Sequence, residues 1–252
     1  MTLELLICTI DDGICGLEER LLPMRSDVCY LVSWQHTSPV PPPIPEVLAE
    51  RRDVRVVQLD GRGLCRNRNH ALEHAAGDIL KICDDDETWT NEDFDNILDA
   101  FRRHPECNII HFKARGLEKS YPPHYVSSWE IVLRRDHIGE LRFDERFGLG
   151  SPCLSAGEED VFLSDARRLG LSIHYEPEFI CQIQGPTTGN NITSPSLQRS
   201  KGAAFYRTGG LAYSLYKSVR ESLGWTFRRH INPVPMFRNM LWGINYIRKW
   251  QA

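Results

Sequence analysis

The chain has 252 residues, of which 41% are hydrophobic and 25% charged, and its formal net charge is −4. That length can bury a core without disulfide staples, and the composition is that of a globular protein, neither disordered nor fibrous. The mildly acidic balance argues against a general nucleic-acid binder, and no apolar run approaches the roughly 18 residues of a membrane span.

The first predicted strand is Leu3–Ile10, interrupted by Glu4 and ended by Asp11-Asp12. It lacks the basic start and long apolar core of a signal peptide. Further strands are expected at Val28–Trp34, Val54–Leu59, Ile79–Cys83 and Asn108–Phe112. Amphipathic segments alternate with them, the pattern of a largely parallel α/β sheet. Thr37 to Pro45 is crowded with prolines, which bars it from a helix or a sheet interior and makes it a spacer or a rim of the active-site cleft. A helix is expected from about Asn67 to Ala76, with Gly77 as its C-terminal cap. Phe94, Ile97, Leu98 and Phe101 give the next helix one apolar face. Thr90 and Asp93 have capping-box spacing in front of it, and Pro105 closes it. A third helix is expected from Glu158 to Leu169, ending at Gly170. The eight cysteines are scattered, with no C-x-x-C pair, so zinc-ligand spacing is absent and a reduced intracellular protein is the simplest reading. Beyond about Pro195 the chain turns basic and aromatic; from Lys201 onward Glu221 is its one acid.

The segment Ile79-Leu80-Lys81-Ile82-Cys83-Asp84-Asp85-Asp86-Glu87 is the most informative. An apolar strand runs into four acids, at the strand end where α/β sheets collect ligands. Packed carboxylates repel, and a hard cation such as magnesium or manganese compensates them. In extended chain Asp84 and Asp86 would face one ion together. The bland alternative is a solvated acidic loop, with Glu87 merely near the next helix. A second acidic group, Gly157-Glu158-Glu159-Asp160, opens the third helix. It either complements the helix dipole or projects a general base into a cleft. Gly63-Leu64-Cys65-Arg66-Asn67-Arg68-Asn69 follows a strand and opens a helix, where an anion or an ordinary turn would each fit.

Together these segments resemble family 2 glycosyltransferases, inverting enzymes of the GT-A fold, over roughly residues 3 to 190. Leu5-Leu6-Ile7-Cys8-Thr9 is similar to the family's first strand, which ends in a Thr bordering the nucleotide. Gly63 to Asn69 resembles its G-x-S-x-x-R-N turn, Asp84-Asp85-Asp86 its D-x-D motif, and Phe143-Asp144-Glu145-Arg146-Phe147-Gly148 with Gly157-Glu158-Glu159-Asp160 its acceptor-side block.

The resemblance implies a mainly parallel, Rossmann-like mixed sheet flanked by helices, with a C-terminal helical extension. The catalytic domain would cover 1–195, its nucleotide-sugar half about 1–115 and its acceptor half about 116–195, followed by the extension over 196–252. Thr9, Asp11, Arg68, Asp84 and Asp85 are then expected at the nucleotide. Asp84 and Asp86 would hold Mn2+ or Mg2+, and Asp160, or Glu159 one position earlier, would be the base. The donor would be a nucleotide-diphospho-sugar, with a uridine base most expected, and the acceptor a saccharide or lipid-linked hydroxyl in cell-surface polysaccharide or glycolipid synthesis. The protein would be cytoplasmic and peripheral on the inner face of the plasma membrane, with the extension on lipid or packed against the catalytic domain or a twin subunit in a homodimer.

Two segments depart from the family pattern. Val32-Ser33-Trp34-Gln35-His36 stands where many members have an Asp-rich turn, and there Trp34 would stack on the base or line the rim. Cys181-Gln182-Ile183-Gln184-Gly185 stands where many carry a His; Arg or Lys from the tail is the expected substitute at the diphosphate. The competing readings are a sugar-nucleotide nucleotidyltransferase, which lacks its glycine- and lysine-rich loop here, and a non-catalytic nucleotide- or carbohydrate-binding module of the same fold.

Overall fold

The computed structural model describes residues 1–40, 43–116, 125–183, 193–229 and 232–249. Gln184 and Gly185, named above, lie outside the described residues, as do Pro41 and Pro42 of the proline-crowded segment, and the side chains of Arg228 and Arg229 are likewise not described. The chain divides into two compact units: 1–62, 66–142 and 166–185 form one, and 63–65, 143–165 and 186–252 the other.

The first unit holds an eight-stranded sheet in the order β3-β2-β1-β4-β7-β6-β8-β5. Its strands are β1 (Leu3–Ile10), β2 (Val28–His36), β3 (Val54–Asp60), β4 (Ile79–Asp84), β5 (Glu87–Thr88), β6 (Ile109–Arg115), β7 (Ile131–Arg134) and β8 (Ile173–Ile183). The β1–β2, β2–β3, β1–β4 and β6–β8 pairings are parallel, and β7 is antiparallel to both β4 and β6. This is the mixed, mainly parallel α/β sheet expected from the sequence. β1 pairs on both sides, with Leu6 opposite Leu31 and Ile82. Buried on both faces, it reads as a near-continuous apolar run.

The helices of this unit are short α1 (Glu46–Glu50), α2 (Leu64–His74) from Arg66 onward, α3 (Asn91–Arg103) and the single turn α4 (Arg135–Ile138). α3 begins as its sequence requires: Thr90 accepts from the Asp93 N–H and the Asp93 carboxylate reaches back to the Thr90 N–H, completing a capping box. Its buried face carries Phe94, Ile97, Leu98 and Phe101. Trp34 departs from expectation. It is 1% exposed, packs in the main core and donates its Nε1–H to the Asp11 carbonyl at 2.8 Å. An indole on a strand covered on both faces is core, with no ring face left for a base.

The second unit contains the start of α5 (Glu158–Arg168), then α6 (Pro195–Arg229) and α7 (Pro233–Lys249). Phe147, Leu154, Val161, Ala203, Ala204 and Ile247 form its core. α6 and α7 meet through small residues. A Cβ added at Gly243 would collide with the Arg199 carbonyl, and one at Gly202 with the Met240 carbonyl. α6 is broken at Gly210, whose φ of 75° and ψ of −170° are not helical. Lys201 Nζ and Glu221 Oε1 lie 2.8 Å apart. Twenty residues of straight helix would separate them by about 30 Å, so the chain reverses at Gly210 and the two limbs of α6 run against each other.

Candidate functional site

The acids expected at a strand end do lie there. β4 ends at Asp84, which pairs in register with Cys8 of β1, so Thr9 and Asp84 emerge together at the carboxyl ends of two parallel strands. Asp85 and Asp86 form the turn to β5. They do not continue the extended strand, so the alternation that would aim Asp84 and Asp86 at one ion does not apply; the turn arranges them instead.

Each acid has a different environment. Asp84 is 22% exposed and its Oδ1 accepts from Arg68 Nη2 at 3.0 Å. Arg68, rising from α2, is 1% exposed and also donates to Ser128 Oγ at 2.7 Å. Arg68, expected at the nucleotide, grips Asp84 from beneath the surface. Asp85 Oδ2 accepts from the buried Thr9 hydroxyl at 2.5 Å, and its carbonyl accepts from Arg20 Nη1 at 2.5 Å. Asp86 is exposed. Desolvation pushes the carboxyls of Asp85 and Asp86 above their ordinary value, and the charge of Asp84 adds to it, with Asp85 adding further at Asp86. Asp11, at a φ of 47°, accepts from the Thr37 N–H at 2.7 Å and from its hydroxyl at 3.1 Å, which ties the end of β1 to the chain beyond β2.

Beneath this turn lies a buried network that the sequence reading missed. Glu87, one of the four acids expected at the strand end, is fully buried and forms an ion pair with fully buried Lys81. Its Oε1 accepts from the Asp84 N–H at 2.7 Å and its Oε2 from Trp89 Nε1 at 3.2 Å. Burial pushes the Glu87 carboxyl up to about 7, with Lys81 opposing. Burial alone would lower Lys81, but the neighbouring Cys83 and Glu87 raise it, so the ammonium stays charged. The signal was present: a lysine inside Ile79–Cys83 demands a buried counter-charge, and Glu87 is the nearest acid beyond the exposed turn. Ser128 and Arg20 carried no such signal.

The second acidic group opens α5, in the second unit. Glu158 and Glu159 are 6% and 5% exposed, whereas Asp160 is exposed. Asp144 of the F-D-E block is bound by Arg146 Nη2 at 2.5 Å and Arg207 Nε at 3.1 Å, and Arg207 also meets Asp165 at 2.7 Å. Arg207 is thus engaged in the second unit's own ion pairs. Where the family pattern has a His, β8 carries Cys181-Gln182-Ile183.

Among the described residues Asp84, Asp85 and Asp86 do not form a preformed three-ligand cluster, although carboxylate oxygens are the donors that suit magnesium or manganese. Burial is the main cause of the upward push on Asp85 and Asp86, and the smaller share that comes from the neighbouring acids is the repulsion that a cation would relieve. The mixed sheet thus carries acids, a threonine and a buried arginine at the carboxyl ends of β1 and β4, where α/β sheets collect ligands.

Residues 41–155 match the model of the family described as Glycosyl transferase family 2, the family that the motifs resemble. Among solved structures, Staphylococcus aureus TarS, residues 1–349 in complex with UDP-GlcNAc, is similar at 15% identity and a TM-score of 0.60, covering 96% of this chain and 80% of that one. Against a longer TarS chain the TM-score is 0.57 at 14% identity, and the present chain spans 44% of its length. The mannosyltransferase PcManGT from Pyrobaculum calidifontis, in complex with GDP-Man and Mn2+, is similar at 14% identity and a TM-score of 0.53, covering 98% of this chain and 73% of that one. At these identities the likeness establishes the GT-A fold. No curated protein sequence matches the chain.

Proposed function

We propose that the protein transfers a sugar from a nucleotide-diphospho-sugar, with UDP as the favoured carrier, to an acceptor hydroxyl with inversion, in cell-surface polysaccharide or glycolipid synthesis on the cytoplasmic side. The observation that carries this reading is the run Asp84-Asp85-Asp86 at the end of β4, with Asp84 held by Arg68, Asp85 by Thr9 and Asp86 exposed. The family match and the nucleotide-sugar complexes of structures sharing the fold support it. The catalytic domain proposed over 1–195 draws on both compact units.

In this reading Asp84 and Asp86 hold the divalent cation, which supplies charge neutralisation to the diphosphate leaving group. Arg68 holds the Asp84 carboxylate in position. Thr9 fixes the Asp85 carboxylate at the nucleotide's edge, and Asp11 lies at the same end of β1. Asp160 takes the acceptor's proton, and its exposure favours it over buried Glu159. One displacement at the anomeric carbon then inverts its configuration.

A thermal-shift screen of nucleotide-sugars with and without manganese tests the donor site. A true donor stabilises the fold by mass action, about 2.7 kcal/mol at a hundredfold excess over Kd. Asp86→Ala should leave the unliganded melt within about 0.5 kcal/mol, since the side chain is exposed, yet abolish the manganese-dependent shift. An undiminished shift in that variant would refute the site.

A further inference from the structure

The second limb of α6, residues 211–229, carries its polarity in reverse. Ser214, Ser218 and Ser222 recur at one-turn spacing and are 0%, 0% and 2% exposed. Ser214 and Ser222 return their hydroxyls to carbonyls of their own helix, those of Leu211 and Ser218, at 2.8 Å. The serines therefore form a small-residue inner face, and the first limb packs against this limb through Lys201–Glu221 and through Lys217, whose Nζ lies 5.2 Å from the Phe205 ring centre. The outward side holds Leu215, Tyr216, Val219, Leu223 and Phe227, from 38% to 81% exposed. At 100° per residue these five occupy one contiguous arc, bordered by Arg220. A helix on a water-facing surface places its leucines inward and its polar residues outward; this one does the opposite. An apolar face of that kind marks an interaction surface.

Charge decides the occupant. From Lys201 to Lys249 the chain carries nine lysines and arginines and a single acid, Glu221; Lys201 pairs with Glu221 and Arg207 with Asp144 and Asp165, so the excess of cations lies in the other seven. Two copies meeting on this face would bring like charges together, whereas an anionic surface would be attracted. No helix among the described residues is long and apolar enough to cross a membrane. A helix with an apolar arc and basic flanks suits the plane of a lipid surface, its apolar side chains below the headgroups and its cations among them. We propose that residues 211–229 lie in the surface of an anionic membrane, with Leu215, Tyr216, Val219, Leu223 and Phe227 inserted and Arg220 among the headgroups.

This gives a named face to the membrane contact expected of the extension, and it can be read without donor, metal or acceptor, so its failure is separate from failure of the proposed activity. The full chain is sedimented with vesicles of phosphatidylcholine alone and of an equal mixture with phosphatidylglycerol. The expected result is binding to the mixed vesicles, weakened by added salt, with little binding to the neutral ones. Leu215→Gln with Leu223→Gln replaces two exposed residues by good helix formers. It should keep the thermal melt and lower partition into mixed vesicles by at least about tenfold. Arg220→Gln should lower partition less and flatten its salt dependence. Three results would each overturn the proposal: no sedimentation with mixed vesicles, unchanged partition of the double glutamine variant, or a concentration-dependent dimer in solution that this variant dissolves.

Discussion

Lys81 lies midway along a strand with none of its side chain exposed, and a lone ammonium there would cost several kcal/mol. Glu87 offsets that cost and also accepts from the Asp84 backbone, so the ion pair reaches the base of the acidic turn. Lys81→Met should therefore cost about 3–5 kcal/mol, because it strands a carboxylate that burial already pushes up to about 7. Lys81→Met combined with Glu87→Gln should recover part of that loss, since no uncompensated charge is left buried. Urea unfolding of the two variants measures both; equal destabilisation would mean that packing matters and the charge does not. Arg68 follows the same logic at the edge of the turn. A buried guanidinium supported by Ser128 fixes the position of one carboxylate.

Among the elements, α6 and α7 cross with glycine in the contact, and Gly243 approaches the Arg199 carbonyl too closely for any side chain. Gly243→Ala should cost about 1–3 kcal/mol by overpacking, a fall of roughly 2–4 °C in Tm per kcal/mol for a chain of this size. The ion pairs of the second unit give a pH signature. Burial alone would raise the Asp144 carboxyl, but Arg146 and Arg207 hold it below its ordinary value of 3.8. A carboxylate depressed in the folded state adds stability above its unfolded pKa and loses it as pH falls through the folded one. Asp144→Asn should therefore be destabilised by about 1–3 kcal/mol at neutral pH. Its deficit should shrink in urea melts below pH 3.8, and a constant deficit would assign the effect to shape.

The elements were legible where one signal dominated. β1 and the capped α3 have the expected starts because an apolar run and a Thr90–Asp93 box leave little choice. Three strands gave no such signal. β5 is two residues long, β7 has only Ile131-Val132-Leu133 before Arg134, and β8 carries Glu176, Pro177 and Glu178 along a half-exposed stretch with a register shift against β6. Their identity depends on partners distant in sequence, which local pattern does not encode. The reversal at Gly210 was marked by the pair Gly209-Gly210, but burial was needed to see that the limb beyond it turns serines inward.

Across the whole molecule, the residues assigned to donor and to acceptor chemistry fall in different compact units: Thr9, Asp11, Arg68, Asp84, Asp85 and Asp86 in the first, Glu159 and Asp160 in the second. The two roles should therefore separate on substitution. Asp160→Asn removes the proposed base and changes no residue of the acidic turn, so the manganese-dependent donor shift should persist while transfer to an acceptor falls by about 100-fold or more. Glu159→Gln alters a buried residue, so its main effect should be on the melt, with a smaller loss of turnover. A fall in donor binding with Asp160→Asn equal to its fall in transfer would place that acid at the donor and end its assignment as base. Should Glu159→Gln lose turnover with its melt intact, the base would move one residue earlier. If Asp160 is the base of a single displacement, the surviving product must carry the anomeric configuration opposite to that of the donor. Retention, read from the anomeric proton coupling of the product, would demand a covalent or front-face route that one exposed aspartate does not supply.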